Sequence, residues 1–137
     1  MNNIQKFVVG VAAIVVRKGK ILALKRAKKE HVAPNRWETI AGKVEFKEDP
    51  LDSLCREIKE ESGLNVRVNP LPIDLFHTFR GDDPMILIIY SVEYVSGDVR
   101  LSPEHDSYEW ISSLEFKKRT NFKRLSCLIE KLLMENK

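Results

Sequence analysis

The alternation of apolar and polar residues along the chain predicts strands in most of its length and helices in two segments. Runs rich in β-branched and aromatic residues, bounded by turn residues, mark the strands. We expect extended segments at 7–16, 21–25, 37–41, 65–68, 73–80, 85–94, 98–101 and 108–111. Segment 85–94 is the most hydrophobic, so it is expected at the centre of the sheet.

Helical spacing of apolar residues predicts helices at 50–62 and 122–134. The first has an N-cap at Asp49, proline at its first position and a glycine C-cap at Gly63. Its inward face is predicted from the spacing of apolar and small residues, namely Leu51, Leu54, Cys55, Ile58 and Ser62. The whole chain, residues 1–137, is therefore expected to form one α+β domain with a mixed sheet flanked by helices.

Composition describes an ordinary globular protein, with 43% apolar and 31% charged residues and a net charge of +3. This charge gives no indication of a nucleic-acid surface, and no segment is long enough to span a membrane. No signal peptide is recognisable, so a cytoplasmic location is expected. Cys55 and Cys127 lack metal-ligand spacing and are expected to be buried, reduced thiols.

Three carboxylates crowd the end of the first helix: Glu57, Glu60 and Glu61. Residues three or four apart are neighbours on a helix, and each like-charged pair costs about 0.2–0.5 kcal/mol. The negative helix C-terminus adds to that cost. A divalent cation would turn these repulsions into attractions, whereas the alternative interpretation is a solvated acidic face. Carboxylates without His or Cys partners favour Mg²⁺, with Mn²⁺ as a substitute, and Mg²⁺ commonly completes its shell with phosphate oxygens.

A longer pattern contains this cluster: Gly42, five residues, Glu48, seven residues, and then the run 56–64, Arg-Glu-Ile-Lys-Glu-Glu-Ser-Gly-Leu. It matches the Nudix box at every specified position, so the chain resembles the Nudix hydrolases. Segments 37–42 and 104–111 resemble the family's strand before the box and its late acidic loop. The resemblance implies a Nudix α/β/α sandwich and hydrolysis of a nucleoside diphosphate linked to another group.

The resemblance also implies roles for individual residues. Glu57, Glu60 and Glu61 would hold the metal together with the Ala41 carbonyl, although alanine stands where many members have glycine. Glu57 or Glu104 would act as general base, whereas His105 is a weaker candidate and is expected on the surface.

The remaining box residues are expected to be structural. Arg56 and Glu48 would form an ion pair that holds the box loop, with Gly42 and Gly63 at its turns. Arg26 and Lys43 could each meet a substrate phosphate, or could simply be solvated.

The reaction expected first is cleavage of a nucleoside triphosphate to the monophosphate and pyrophosphate. The alternative is an ADP-ribose or nucleotide-sugar pyrophosphatase, because 38–42 resembles the lead-in of those members except that Ile40 replaces a proline. A non-catalytic, nucleotide-sensing Nudix-like module is the third interpretation, but such modules usually lose box carboxylates. The expected partner is a small nucleotide, and a homodimer is compatible with the sequence.

Overall fold

A computed structural model of the chain describes residues 4–135. The strands are β1 (Val8–Arg17), β2 (Lys20–Arg26), β3 (Trp37–Glu38), β4 (Ile40–Lys43), β5 (Asn65–Val68), β6 (Asp74–Arg80), β7 (Asp83–Ser96) and β8 (His105–Ile111). The helices are α1 (Pro50–Ser62), α2 (Ser113–Arg119) and α3 (Lys123–Glu135). The strands come in two runs of four, with α1 between the runs and α2 and α3 after the second, and this segregation of element types confirms the predicted α+β class.

The sheet is mixed, and β7, which was predicted at its centre, is an interior strand beside the middle strand β1. β7 runs parallel to β1, with Val8 opposite Met85 and Val16 opposite Glu93. Its other edge pairs antiparallel with β6 and then β5. The other edge of β1 pairs with two strands, with β4 along its first half and with β2 at its end. Strands β3 and β8 extend the sheet beyond β2.

Helices cover both faces of this sheet. Leu54 and Ile58 of α1 pack on one face against residues such as Val11 of β1. Phe116 of α2 and Ile129 of α3 pack on the other face. Alternate residues of a strand point to opposite faces, so β1 contributes to both cores. The result is the predicted α/β/α sandwich.

The ends of α1 follow the predicted signals. The Asp49 side chain accepts a hydrogen bond from the Leu51 N–H at 3.0 Å. Gly63 has φ of +68° and donates its N–H to the carbonyls of Ile58 and Lys59, at 3.3 and 3.0 Å. Because a left-handed φ is costly for residues with a Cβ, glycine suits this C-cap.

The number of elements differs from the sequence prediction at three places. α2 was not predicted, because it has only one buried apolar side chain, Phe116, and therefore no apolar stripe. Segment 37–41 is two strands rather than one, since β3 pairs with β2 and β4 with β1, with a break at Thr39. Segment 98–101 is not a strand.

The prediction of buried cysteines is wrong, because both Cys55 and Cys127 are exposed. The buried side of α1 is instead formed by Ser53, Leu54, Ile58, Glu61 and Ser62. The helix is thus rotated so that a carboxylate, Glu61, lies on its inner side. In the part of the chain that the structure describes, no helix is long and apolar enough to cross a membrane.

Candidate active site

Glu61 is a buried carboxyl group at the junction of α1 and β4. The residue is only 2% exposed. Its Oε1 accepts a hydrogen bond from the Ala41 N–H at 3.4 Å. Within residues 4–135, its Oε2 is buried without a hydrogen-bond partner. A buried oxygen without a hydrogen-bond partner is costly, so the Glu61 carboxyl indicates a bound group that the polypeptide does not supply.

Burial raises the pKa of Glu61 to about 10, and the neighbouring Glu57 carboxylate adds to this effect. Glu104 and Glu38 add smaller repulsions that raise the pKa further. Without a cation, Glu61 is therefore protonated at neutral pH. Four carboxyl groups share one electrostatic environment here, which is the opposite of what stability alone would favour.

Glu57 reaches the same place from the preceding turn of α1. Its carboxylate lies directly over Gly42 of β4, and a Cβ added at Gly42 would overlap it. Glycine at this box position therefore allows close contact between the strand and the Glu57 side chain. Any larger residue would move that carboxylate.

Arg56 forms a brace on the other side of α1. Its Nε donates to Glu48 Oε2 at 3.0 Å and its Nη2 to Glu48 Oε1 at 2.9 Å, a bidentate pair. Its Nη2 also donates to the Lys43 carbonyl at 3.2 Å. Ser53 donates to Glu48 as well. The hydrogen bonds from Arg56 and Ser53 lower the pKa of Glu48 to about 2. This brace fixes the box loop to the helix.

The three carboxylates predicted as metal ligands are not equivalent. Glu61 is buried, and Glu57 receives Arg56 Nη1 at 2.8 Å. Glu60 is exposed and lies 3.5 Å from the same Nη1. Among residues 4–135, no three His, Cys, Asp or Glu side chains converge closely enough to form a ready cation site. The guanidinium instead holds two of the three carboxylates.

A second, partly buried polar network, which the sequence did not predict, surrounds Glu38. Its Oε2 lies 2.8 Å from His105 Nε2 and 3.3 Å from Arg26 Nη1, and its Oε1 receives Arg36 at 3.1 Å. Burial opposes ionisation of Glu38, but the His105 hydrogen bond and the charges of Arg26 and Arg36 outweigh it and lower its pKa. The spacing of these residues, from 26 to 105, gave no local signal.

His105 is buried, so its expected surface position is wrong. β8 begins at His105 and pairs it with Arg26 of β2, which turns the ring inward towards Glu38. Its Nδ1 is buried without a hydrogen-bond partner among residues 4–135. A ring enclosed in this way is poorly placed to take a proton from a water in an open cleft.

The other predicted site residues lie around this network. Glu104 is exposed, and its carbonyl accepts from the Ala27 N–H at 2.9 Å, which ties the late loop to β2. Arg26 is engaged with Glu38 and with the Val32 carbonyl, at 2.9 Å, rather than free. Lys43 is exposed at the end of β4.

A hard divalent cation fits these residues. Glu61 and the neighbouring Glu57 offer carboxylate oxygens, which Mg²⁺ prefers. The unpartnered Glu61 Oε2 supplies a free oxygen, and positive charge would offset the repulsion that keeps Glu61 protonated. Of the predicted ligands, the structure brings Ala41, Glu57 and Glu61 close together.

Comparisons with known proteins agree with this architecture. A family model described as the NUDIX domain matches residues 6–132. The MutT-like protein of Streptomyces ambofaciens is 31% identical over 112 residues, 81% of this chain and 68% of that protein. CTP pyrophosphohydrolase of Escherichia coli (strain K12) is 41% identical over 63 residues, 46% of each chain, so less than half of that relative is matched. The crystal structure of a MutT protein from Methanosarcina mazei Go1 superposes with a TM-score of 0.84 over 99% of both chains, at 24% identity.

Proposed function

We propose, from the premise that the chain belongs to the Nudix hydrolase family, that it is a Mg²⁺-dependent pyrophosphohydrolase acting on a small nucleotide. Members of this family hydrolyse pyrophosphate bonds and generally use a divalent metal.

The observation that carries the proposal is the buried, unpartnered carboxyl of Glu61 beside Glu57 and Ala41. A folded protein tolerates such a group where function requires it. Because no carboxylate of the box is missing, a non-catalytic sensing module is disfavoured.

Ala41, Glu57, Glu60 and Glu61 would hold the cation, with Glu60 turning away from Arg56 to do so. When bound, Mg²⁺ would neutralise pyrophosphate oxygens and polarise the phosphoryl group. We assign Lys43, exposed on β4 two residues after Ala41, and Arg26, at the end of β2, to substrate phosphates. Arg26 would have to release Glu38 and the Val32 carbonyl to reach one.

The base in this proposal is a carboxylate. Water forms the new P–O bond, the bridging P–O bond breaks, and the proton of water passes to Glu104 or Glu57. Glu104 is favoured over His105 because it is exposed while the His105 ring is enclosed. The Arg56–Glu48 brace positions α1 and does not touch substrate.

The proposed substrate is a nucleoside triphosphate, which would yield the monophosphate and pyrophosphate. Two relatives are named a MutT-like protein and a CTP pyrophosphohydrolase, which supports a triphosphate over ADP-ribose or a nucleotide sugar. A single domain over 1–137 and a cytoplasmic location are part of this proposal.

A substrate panel tests it directly. Nucleoside triphosphates, ADP-ribose and nucleotide sugars are each incubated with the protein and Mg²⁺, and the products are separated by chromatography. We expect monophosphate and pyrophosphate in equal amounts from at least one triphosphate. Release of phosphate instead, turnover of ADP-ribose alone, or binding without turnover would contradict the proposal.

A further inference from the structure

Strand β6 lies at an edge of the sheet. It pairs with β7 from Asp74 opposite Ile89 to Arg80 opposite Asp83. Among residues 4–135, no strand pairs with its other edge. An antiparallel strand bonds its neighbour through alternate residues, so the remaining backbone groups of β6 face outward. One of them, the Leu75 N–H, donates to the Asp74 side chain at 2.8 Å.

This edge is unusually apolar. Leu75 is 57% exposed and Phe79 is 59% exposed, and both lie on the face of β6 that also carries His77. Phe7, 49% exposed, extends the same surface and stacks edge-on against His77, with ring centroids 6.0 Å apart. His77 stacks in turn against Phe79 at 4.9 Å. Exposed apolar edge strands are templates for pairing with another strand, and this one has no lysine or proline to block it.

The sequence of β6 is complementary to itself. If two copies pair antiparallel about His77, paired residue numbers sum to 154. Asp74 of one copy then lies opposite Arg80 of the other, and Leu75 lies opposite Phe79. The first of these pairs joins opposite charges and the second joins two apolar groups, which are favourable cross-strand combinations. The remaining pairs are Phe76 with Thr78 and His77 with its own copy. A shift by one residue would lose both matches.

We propose that β6 is a homodimer interface, in which β6 strands of two copies pair antiparallel about His77 and continue the sheet across a two-fold axis. The exposed parts of Leu75 and Phe79 amount to roughly 200–250 Å² per copy, on the scale of 150–250 Å² for a whole aromatic side chain. Even with the strand edges, two copies bury less than the roughly 1,000 Å² of a small specific interface. The dimer is therefore expected to be weak and dependent on concentration.

The interface is separate from the candidate active site. β4, β1, β7 and β6 lie side by side, and at about 4.8 Å per strand β6 is roughly 14 Å from β4. The proposal therefore does not depend on the proposed reaction.

Sedimentation of the full chain over a range of concentrations tests for the dimer. We expect a monomer–dimer equilibrium for the natural chain and at least a tenfold weaker association for Phe79→Glu. Leu114→Glu is the matched control, since Leu114 is 62% exposed on α2 and away from β6. Far-UV circular dichroism checks that both variants are folded. A natural chain that stays monomeric at every concentration, or Phe79→Glu that associates as the control does, would overturn the proposal.

Cysteine cross-linking tests the register, with the exposed Cys55 and Cys127 first replaced by serine. Residues directly opposite each other lie within disulfide range, whereas residues 79 of the two copies would be about 13 Å apart. We expect His77→Cys to form a disulfide dimer on oxidation and Phe79→Cys alone to form none. A mixture of Leu75→Cys and Phe79→Cys should cross-link. Equal cross-linking of His77→Cys and Phe79→Cys would contradict the register.

Discussion

The two sides of α1 treat negative charge in opposite ways. On one side, Glu48 accepts two hydrogen bonds from Arg56, and its pKa is lowered to about 2. On the other side, Glu61 is buried without a cationic partner, and its pKa is raised to about 10. Both residues belong to the same 23-residue box, 42–64.

This difference separates the residues that hold the structure together from the residues that we assign to the reaction. The Arg56 side is balanced by the polypeptide alone and should contribute stability with or without a ligand. The Glu61 side becomes balanced only when positive charge arrives, so it should cost stability in the free protein and release that cost on binding. Arg56 links the two sides, because its Nη1 also donates to Glu57 at 2.8 Å.

Removal of divalent cations should have the largest effect, because it leaves the Glu61 side unbalanced. Pyrophosphohydrolase activity should be absent in excess chelator and return with millimolar Mg²⁺ or Mn²⁺. Product release measured before and after adding back metal checks this. Full activity in excess chelator would contradict the assignment of Glu61 and its neighbours to metal-dependent hydrolysis.

Glu61→Gln should separate activity from stability. It keeps the shape of the side chain but removes the charge that would face the cation, so kcat should fall by roughly 10²–10⁴. The metal-free variant should be at least as stable as the natural protein, since the ionisable group is gone. Steady-state kinetics with saturating Mg²⁺ and urea unfolding in chelator measure the two effects. Normal activity together with a large loss of stability would show that Glu61 is a structural residue and would contradict its assignment to the reaction.

Arg56→Ala alters the balanced side and should lower stability as well as activity. Loss of the bidentate pair leaves Glu48 without its main partner, and we expect Tm to fall by roughly 3–6 °C. Because the pKa of Glu48 is lowered, its stabilising effect is present above its ordinary value of 4.5 and is lost as pH falls towards 2. The Tm deficit of Arg56→Ala should accordingly shrink at low pH. A deficit that stays constant from pH 6 to pH 3 would argue against the ion pair as its cause.

Glu104→Gln should lower the rate about tenfold or more at saturating Mg²⁺, a larger loss than for His105→Ala. His105→Ala should lower the rate only indirectly, because it loosens Glu38. It should also lower Tm, because it removes a buried side chain. Comparing both quantities for both variants distinguishes a base from a packing residue. If His105→Ala lost most of the rate with Tm unchanged while Glu104→Gln lost none, Glu104 would not be the base.

Most of the fold could be predicted from signals between residues that are close in sequence. The cap at Asp49, the glycine at Gly63 and the apolar run of β7 each depend on nearby residues, so the sequence predicts them well. α2 lacked a stripe, and its start is marked only by Ser112, whose side chain accepts from the Glu115 N–H at 3.1 Å. The Ser-x-x-Glu spacing of a capping box was the available signal.

The site was predictable only where it is contiguous. The box pattern placed Glu57, Glu61, Arg56 and Glu48 correctly on one loop and helix. It could not show that Glu61 is buried, because that depends on how α1 is rotated against β4. The Glu38–His105 contact joins residues 67 positions apart through the pairing of β8 with β2, which no local pattern encodes.

The central claim is that Glu61 is protonated in the metal-free protein and lacks only a cation. The folded protein then holds a proton that the unfolded chain releases above pH 4.5, so stability falls as pH rises from 4.5 towards 10, at most by about 1.4 kcal/mol per unit. Urea unfolding in chelator, compared between the natural protein and Glu61→Gln from pH 5.5 to 8.5, measures this directly. We predict that the advantage of Glu61→Gln grows with pH, whereas the exposed Glu60→Gln keeps the natural pH dependence. An advantage that does not change with pH would contradict the account.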